Sequence, residues 1–312
     1  MTDLLVFGAD SLVGSHFVST TRHNVTAAGE RHPEIAGLRV AEFIPADLRR
    51  PDDIENIVRR SPVEVVVNFA AATNVDAVEK ERPVSLSEPV TSESLIVNAI
   101  APEAMASATR ATGKILISVS TDFVFDGTAG PYPESAHRDP FSPLLSWYGW
   151  TKGEGERRIE ANDPTAMVIR IAYPYRVSYS GKLDFARRIV EQYRQHTLPP
   201  LFSDQQMTPT WIPDVSRAVE HLVDHPDRGV FHVASPEVTS PLEFAKELLS
   251  ALDQHPPELV EGSLRNYLSR SGATPRPVRG GLQCSRLPGS GISLTDWHEG
   301  IRRFVEEGGG AR

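Results

Sequence analysis

Short apolar runs alternate with amphipathic stretches through the first two-thirds of this chain. Leu4–Phe7 reads as a strand leading into a helix that begins near Leu12, and Val25–Ala28 and Val40–Ile44 read as further strands. Asp52–Arg60 has helical periodicity, with Pro51 where a first helical turn tolerates proline. Val63–Phe69 is rich in β-branched residues, as expected for a strand covered on both faces. Ser94–Thr112 predicts one long helix closed by Gly113. Ile115–Val119 predicts a strand, Ser146–Glu160 a helix and Met167–Ile171 another strand. Strands alternating with helices in this way predict an α/β fold, a doubly wound parallel sheet of the Rossmann kind.

After Tyr173 the pattern changes. Residues 176–210 carry basic and polar helical segments and few strands. Pro213–His225 reads as a helix, Gly229–Ala234 as one more buried strand and Leu242–Leu252 as a helix. A Pro/Gly-rich stretch from Thr274 to Gly291 follows, then a terminal helix ending at Gly308-Gly309-Gly310. The division this implies is a dinucleotide-binding domain of residues 1–172 and 211–235. A smaller, discontinuous α/β substrate-binding cap takes residues 173–210 and 236–312.

Tyr148 and Lys152 stand four residues apart on the Ser146–Glu160 helix, so they share one face. Ser120-Thr121-Asp122 ends the apolar run before it. A free phenol, with a pKa of about 10, exchanges protons poorly at neutral pH. A cation about 4 Å away at an effective dielectric of about 20 is worth roughly 4 kcal/mol. That would lower a phenol by up to about three pKa units. A Thr121 hydroxyl beside the pair would position a carbonyl oxygen, so the trio points to acid–base chemistry on a carbonyl/alcohol couple. Tyr-x-x-x-Lys alone is common by chance, and its weight comes from its neighbours.

Gly8-Ala9-Asp10-Ser11-Leu12-Val13-Gly14 lies between the first strand and the first helix, where backbone N–H groups approach a pyrophosphate. Ser11 stands where the middle glycine of such a turn belongs, and a plain tight turn accounts for the segment equally well. Asp47-Leu48 follows the third strand, suited to an adenine amino group and ring face. Asp47 is also placed to cap a helix. Ala70-Ala71-Ala72 ends the fourth strand with side chains small enough for a flat cofactor, or simply for close packing. At the end of the second strand Ala28-Gly29-Glu30-Arg31 puts a glycine where NAD enzymes place an acid. Arg31 favours NADP(H), and Glu30 leaves NAD(H) possible.

Together these residues resemble the extended short-chain dehydrogenase/reductase superfamily, and within it the dTDP-4-dehydrorhamnose reductase family. The likeness rests on Val67-Asn68-Phe69-Ala70-Ala71-Ala72-Thr73 with Val75-Asp76, and on Asn98. It continues in Ser120-Thr121-Asp122-Phe123-Val124-Phe125-Asp126-Gly127, Tyr148-Gly149-x-Thr151-Lys152, Arg170-Ile171 and Asp296-Trp297. The resemblance implies hydride transfer to C4 of a 4-keto-6-deoxy sugar carried on a nucleotide. Tyr148 would donate the proton, Thr121 would orient the keto oxygen, and Lys152 would lower the Tyr148 pKa and grip the nicotinamide ribose. It also implies sugar contacts from the loop around Asn74, from Asp76, from Asp122 and from Tyr173, where this family often carries tryptophan. Asp76 reads equally as the cap of a following helix, and Asn98 as a structural amide or a support for the lysine through water. The proline-containing connection Arg82–Ser94 is longer than the family leads one to expect.

Two alternatives stay open. One is a nucleotide-sugar epimerase or dehydratase on the same scaffold; dehydratases usually carry Asp-Glu after the threonine, whereas Asp122-Phe123 stands here. The regulatory subunit of methionine adenosyltransferase also resembles this family, through Phe125-Asp126-Gly127-Thr128 and Gly130-Pro131-Tyr132, and would be a non-catalytic NADP-binding partner. Arg187-Arg188 is a candidate diphosphate clamp or a solvated helix face. Trp147 is a candidate sugar-stacking ring or a packing residue.

Composition narrows the range of partners. The chain has 312 residues, 40% hydrophobic and 23% charged, and a net charge of −9. That charge, with no basic run, argues against a nucleic-acid partner. One cysteine, Cys284, and histidines without ligand spacing argue against a metal centre. The N-terminus lacks a signal-peptide pattern, and no run of about 18 apolar residues predicts a membrane span. A cytoplasmic enzyme fits, and a homodimer is compatible with the sequence.

Overall fold

The structure, a computed structural model, describes residues 1–33, 40–84, 92–253 and 258–310. Much of the Arg82–Ser94 connection, residues 85–91, lies outside the described residues. The first half builds a parallel sheet and its helices. In chain order these are β1 (Asp3–Phe7), α1 (Gly14–Thr20), β2 (Asn24–Gly29), β3 (Glu42–Pro45), α2 (Pro51–Arg60), β4 (Val65–Asn68) and α3 (Val75–Glu79). A short α4 (Glu93–Leu95) runs through a π-helical turn (Ile96–Ile100) into α5 (Ala101–Thr112). Then come β5 (Ile115–Thr121), α6 (Trp147–Asn162) and β6 (Met167–Ile171).

The second half alternates between the cap and the sheet. It comprises α7 (Phe185–Arg194), β7 (Leu201–Phe202), α8 (Ile212–Asp224), β8 (Gly229–Val233), α9 (Pro241–Asp253), β9 (Glu261–Gly262), α10 (Leu264–Leu268), α11 (Arg286–Gly289) and α12 (Trp297–Glu306). Seven strands pair in the order β3-β2-β1-β4-β5-β6-β8, all parallel, while β7 and β9 form a separate two-stranded ribbon. The order reverses between β1 and β4, and in such sheets ligands bind outside the carboxyl ends of the strands at that reversal.

The core explains the pattern. On one face of the sheet Leu4, Val6, Ile117, Ile169 and Phe231 pack against Phe17 of α1 and Val215, Val219 and Leu222 of α8. On the other, Leu5, Phe7, Val66, Leu116 and Val168 pack against Ile54 and Val58 of α2, Met105 of α5 and Ile159 of α6. Burial on both faces is what makes these strands read as near-continuous apolar runs. A third cluster, around Tyr175, Trp211, Phe244, Trp297 and Phe304, is the core of the second half.

One prediction needs revision. Ser94–Thr112 is not a continuous α-helix, because it widens into the π turn at Ile96–Ile100. Pro102 accounts for this: it has no N–H for the carbonyl of Asn98, and its ring crowds that carbonyl. The freed Asn98 carbonyl faces Gly155 of α6, where a Cβ would stand 2.2 Å from the oxygen. Helix α6 therefore seats directly on backbone at this point.

Candidate active site

Three side chains gather at the carboxyl end of β5. Thr121 is its last residue, and Tyr148 and Lys152 come from the first turns of α6, which Ser146 caps by accepting from Gly149 N at 3.0 Å. The Thr121 hydroxyl lies close enough to Tyr148 to favour its ionised form, while donating to Asp122 Oδ1 and accepting from Phe123 N, each at 3.3 Å. Lys152 Nζ donates to the carbonyl of Val119, two residues back along β5, at 2.8 Å. Tyr148 packs edge-on against Phe123 with centroids 5.7 Å apart, and Phe123 lies 6.3 Å from Tyr173. Tyr173 has φ 44, a left-handed backbone that is uncommon for a bulky residue and tends to occur at functional sites. Its hydroxyl accepts from Gln205 Nε2 at 2.8 Å.

The electrostatics correct one expectation. Burial pushes the Tyr148 phenol up to about 12; the Thr121 hydroxyl offsets part of this, and the nearby Asp122 adds to it. Lys152 does not offset this rise: its ammonium donates to the strand carbonyl and not to the phenol. Burial brings Lys152 itself down to about 8, with Glu156, one turn further along α6, opposing the fall. A phenol this weakly acidic stays protonated at neutral pH, the state required of a proton donor.

Behind the trio lies a buried polar network. Glu156 accepts from Ser120 Oγ at 2.5 Å and from Arg170 Nε and Nη2 at 2.9 and 2.6 Å. Arg170 also meets His232 Nε2 at 3.3 Å. The guanidinium of Arg170 and that of Arg138 keep Glu156 ionised, with its pKa down to about 2 despite burial. Asp122 is different. It is 1% exposed, one of its carboxylate oxygens has no hydrogen-bond partner among the described residues, and burial pushes it up to about 7. It lies below the surface beside Thr121, bonded to it at 3.3 Å, rather than open to a sugar.

A cleft of about 820 Å³ runs across the carboxyl ends of β1, β2 and β4. It brings together Gly8, Asp10, Arg31, Asp47, Leu48, Ala70 and Ala71, as the sequence predicts for a cofactor. Its lining of a glycine turn, small alanines and an arginine fits a dinucleotide. Gly8 has φ 73, and a Cβ there would stand 2.7 Å from Ala70 N, so any side chain would fill the cradle. Ser11 substitutes for glycine because its hydroxyl accepts from Gly14 N at 3.0 Å, which stabilises the turn. Leu12 and Val13 turn into the core. Ala72 is bonded through both its N–H and its C=O to the Asn98 amide at 2.9 and 3.1 Å. Ser11, Leu12, Val13, Gly14 and Ala72 therefore shape the site from beneath, and Asn98 is a structural clamp.

Other assignments change with the geometry. Asp47 does not cap α2: it accepts from the Arg49 backbone and guanidinium, and Arg49 also reaches Glu30 at 2.8 Å. Asp76 does not cap α3 either, since Asn74 does so by accepting from Ala77 N at 3.2 Å. Asp76 instead pairs with Arg276 at 2.7 Å. Arg187 is no diphosphate clamp, because Asp184 and the carbonyls of Tyr179 and Lys182 occupy it, while Arg188 donates to the Leu183 carbonyl. Trp147 is buried and stacked on Trp150 with centroids 4.6 Å apart, not turned toward a sugar. No cluster of three metal-ligating side chains occurs among the described residues.

Sequence reasoning missed Tyr179, Ser180 and Gly181, which line the same cleft from the cap. Tyr179 donates its hydroxyl to the carbonyl of Asp10 at 2.6 Å. This contact joins residues 169 positions apart through a backbone acceptor, so no spacing in the sequence announces it.

A doubly wound sheet whose fifth strand presents a hydroxyl to a helix-borne tyrosine and lysine defines an extended short-chain dehydrogenase/reductase. Within that class, the RmlD substrate binding domain family matches residues 1–309, and the chain belongs to it. The chain is 30% identical to a probable low-salt glycan biosynthesis reductase of Haloferax volcanii, over 90% of this chain and 92% of that one. It is 29% identical to the dTDP-4-dehydrorhamnose reductase of Sinorhizobium fredii, over 83% and 85% of the two. The crystal structure of a dTDP-4-dehydrorhamnose reductase from Bacillus anthracis in complex with NADP has the same fold, with TM-score 0.78, 22% identity and coverage of 98% and 99%.

Proposed function

We propose that this protein is an NADPH-dependent reductase of the 4-keto group of a nucleotide-linked 6-deoxyhexose. The observation that carries the reading is the Thr121 hydroxyl beside the buried, protonated Tyr148 at the end of β5, with Lys152 on the same helix face. Membership of the reductase family supports it. Residues 1–172 and 211–235 hold the cofactor in this reading, and residues 173–210 and 236–312 hold the sugar nucleotide.

Nicotinamide, when bound, supplies the hydride. Gly8, Asp10, Asp47, Leu48, Ala70 and Ala71 would hold the dinucleotide, with Arg31 at the 2′-phosphate. Thr121 orients the ketone oxygen beside Tyr148, and Tyr148 Oη gives it a proton. Lys152 keeps a positive charge near the phenolate this leaves. A positioned general acid is typically worth ~10²–10⁴ in rate. Tyr173, held in its left-handed conformation, is the ring that faces the sugar.

The test is NADPH oxidation with a panel of 4-keto-6-deoxy sugar nucleotides. Turnover of at least one, lost in Tyr148→Phe, supports the reading. Tight NADP binding without turnover of any would instead favour a regulatory binding subunit.

A further inference from the structure

Part of the cap crosses to the sheet at one end of the cofactor cleft. Residues 174–184 follow Tyr173 and lead into α7. Within them Tyr179, Ser180 and Gly181 line the cleft together with Gly8, Asp10 and Ala70. Tyr179 also reaches the turn itself: its hydroxyl donates to the Asp10 carbonyl at 2.6 Å, between Gly8 and Gly14. A hydrogen bond thus bridges the cap to the glycine turn. In folds of this kind the diphosphate of a dinucleotide lies at that turn, against the first helix. A dinucleotide is bulky at both ends and slender at its diphosphate. A bridge closed at that point retains the slender part and obstructs the passage of either end.

Two cations hold the Tyr179 ring in place. The guanidinium of Arg176 lies 4.8 Å from its centroid and that of Arg187 5.7 Å, within the range of cation–π attraction. Arg187 also donates to the Tyr179 carbonyl at 2.6 Å and to Asp184, the cap of α7, at 2.7 Å. Arg176 donates to Ser15 Oγ at 3.1 Å, and Ser15 donates to the Ser11 carbonyl at 2.6 Å. The arginine is therefore a second tie to the same turn.

These ties are few, so the bridge can open. None of residues 177–183 is buried. Arg176 Nε has no hydrogen-bond partner among the described residues, so its guanidinium has little to give up when the segment moves. A neutral hydrogen bond such as that of Tyr179 shifts an open–closed balance by roughly two- to tenfold.

We propose that residues 176–181 are a latch over the cofactor. The Tyr179 hydroxyl on the Asp10 carbonyl closes the cleft, and it releases before a dinucleotide enters or leaves. This rests on the reading of the cleft as the dinucleotide site and adds what sets the rate of cofactor exchange.

Stopped-flow fluorescence of NADPH binding to, and displacement from, the whole protein tests it without any sugar. Tyr179→Phe keeps the ring between its two guanidinium groups and removes only the hydroxyl. Because the latch closes with or without cofactor, that variant raises the association and dissociation rate constants together, each about two- to tenfold, and moves Kd less than twofold. Arg176→Met, with the hydroxyl in place and the ring less firmly held, raises both rates by a smaller factor. The proposal is overturned if Tyr179→Phe exchanges NADPH at the wild-type rates or if Arg176→Met moves neither rate. It is overturned also if only dissociation quickens in Tyr179→Phe, since the tyrosine is then a contact of the bound cofactor and not a gate. Faster exchange in Tyr179→Phe without wild-type turnover of any ketosugar sinks the reductase reading and leaves the latch standing. Turnover with unchanged exchange does the reverse.

Discussion

Lys152 gives a hydrogen of its ammonium to the carbonyl of Val119 at 2.8 Å, and so ties the helix that carries Tyr148 to the strand that ends in Thr121. The lysine acts first on position. Its charge is held near the phenol without making the phenol acidic, and burial sets Lys152 at about 8. The rate of ketone reduction should therefore hold through neutral pH and decline as pH rises through about 8, where the charge is lost. Lys152→Met should abolish that decline and lower the plateau. A profile that bends only near pH 6 would contradict the assignment.

Tyr148→Phe keeps the ring against Phe123 and removes only the hydroxyl. Turnover should drop about a hundredfold or more, with NADP⁺ affinity nearly unchanged. Wild-type turnover in that variant would take Tyr148 out of the reaction.

Cofactor choice should follow Arg31. In the cleft Glu30 is paired with Arg49, while Arg31 has no carboxylate partner among the described residues. Arg31→Ala should weaken NADP⁺ about tenfold and leave NAD⁺ unaffected, as read by equilibrium binding. Equal losses for both would point away from the 2′-phosphate.

Asp122 makes stability depend on pH. Burial raises it to about 7, so the folded state binds a proton that the unfolded state, titrating near 3.8, gives up. The stability this contributes is complete below about pH 4 and is lost as pH rises through about 7. Asp122→Asn should flatten that window and be the more stable protein at pH 8.5, by on the order of a few kcal/mol. Urea unfolding at pH 5, 7 and 8.5 decides it; parallel curves for the two proteins would show that Asp122 is ionised throughout.

Two glycines of α6 should behave oppositely. A Cβ at Gly155 would meet the Asn98 carbonyl at 2.2 Å, whereas at Gly153 the nearest atom is the movable end of Arg138, 3.3 Å away. Gly155→Ala should cost a few kcal/mol, and Gly153→Ala should be neutral or gain up to about 1 kcal/mol from helix propensity. Chemical denaturation separates them, and equal effects would mean that α6 does not rest on Asn98.

Much of this protein is legible in its sequence because the sheet is buried on both faces and writes its strands as apolar runs; Met167–Ile171 is found at its exact bounds for that reason. The trio at β5 is legible because i, i+4 spacing survives any helix, and Thr121 lies where its strand stops. What is not legible depends on distant partners. Nothing near Asp76 announces Arg276, two hundred positions on, and nothing near Lys152 tells that its first acceptor is a backbone oxygen. Local chemistry misleads at Arg187-Arg188, which has the composition of an anion site while its neighbours already occupy it. The π turn at Ile96–Ile100 was written in Pro102, but a single proline at a helix start and one at a widened turn look alike along the chain.

The alternation of β5 has a mechanical corollary. Ser120 points toward Glu156 and Arg170, and Thr121, one residue on, toward the reacting phenol. Sliding this strand forward by one residue against its neighbours would leave Ser120 at the mouth and put Val119, with no hydroxyl, against the buried ion pair. The accuracy of the chemistry is thus inherited from strand pairing, and the same hydrogen bonds that close the core hold the reactive oxygen to its mark.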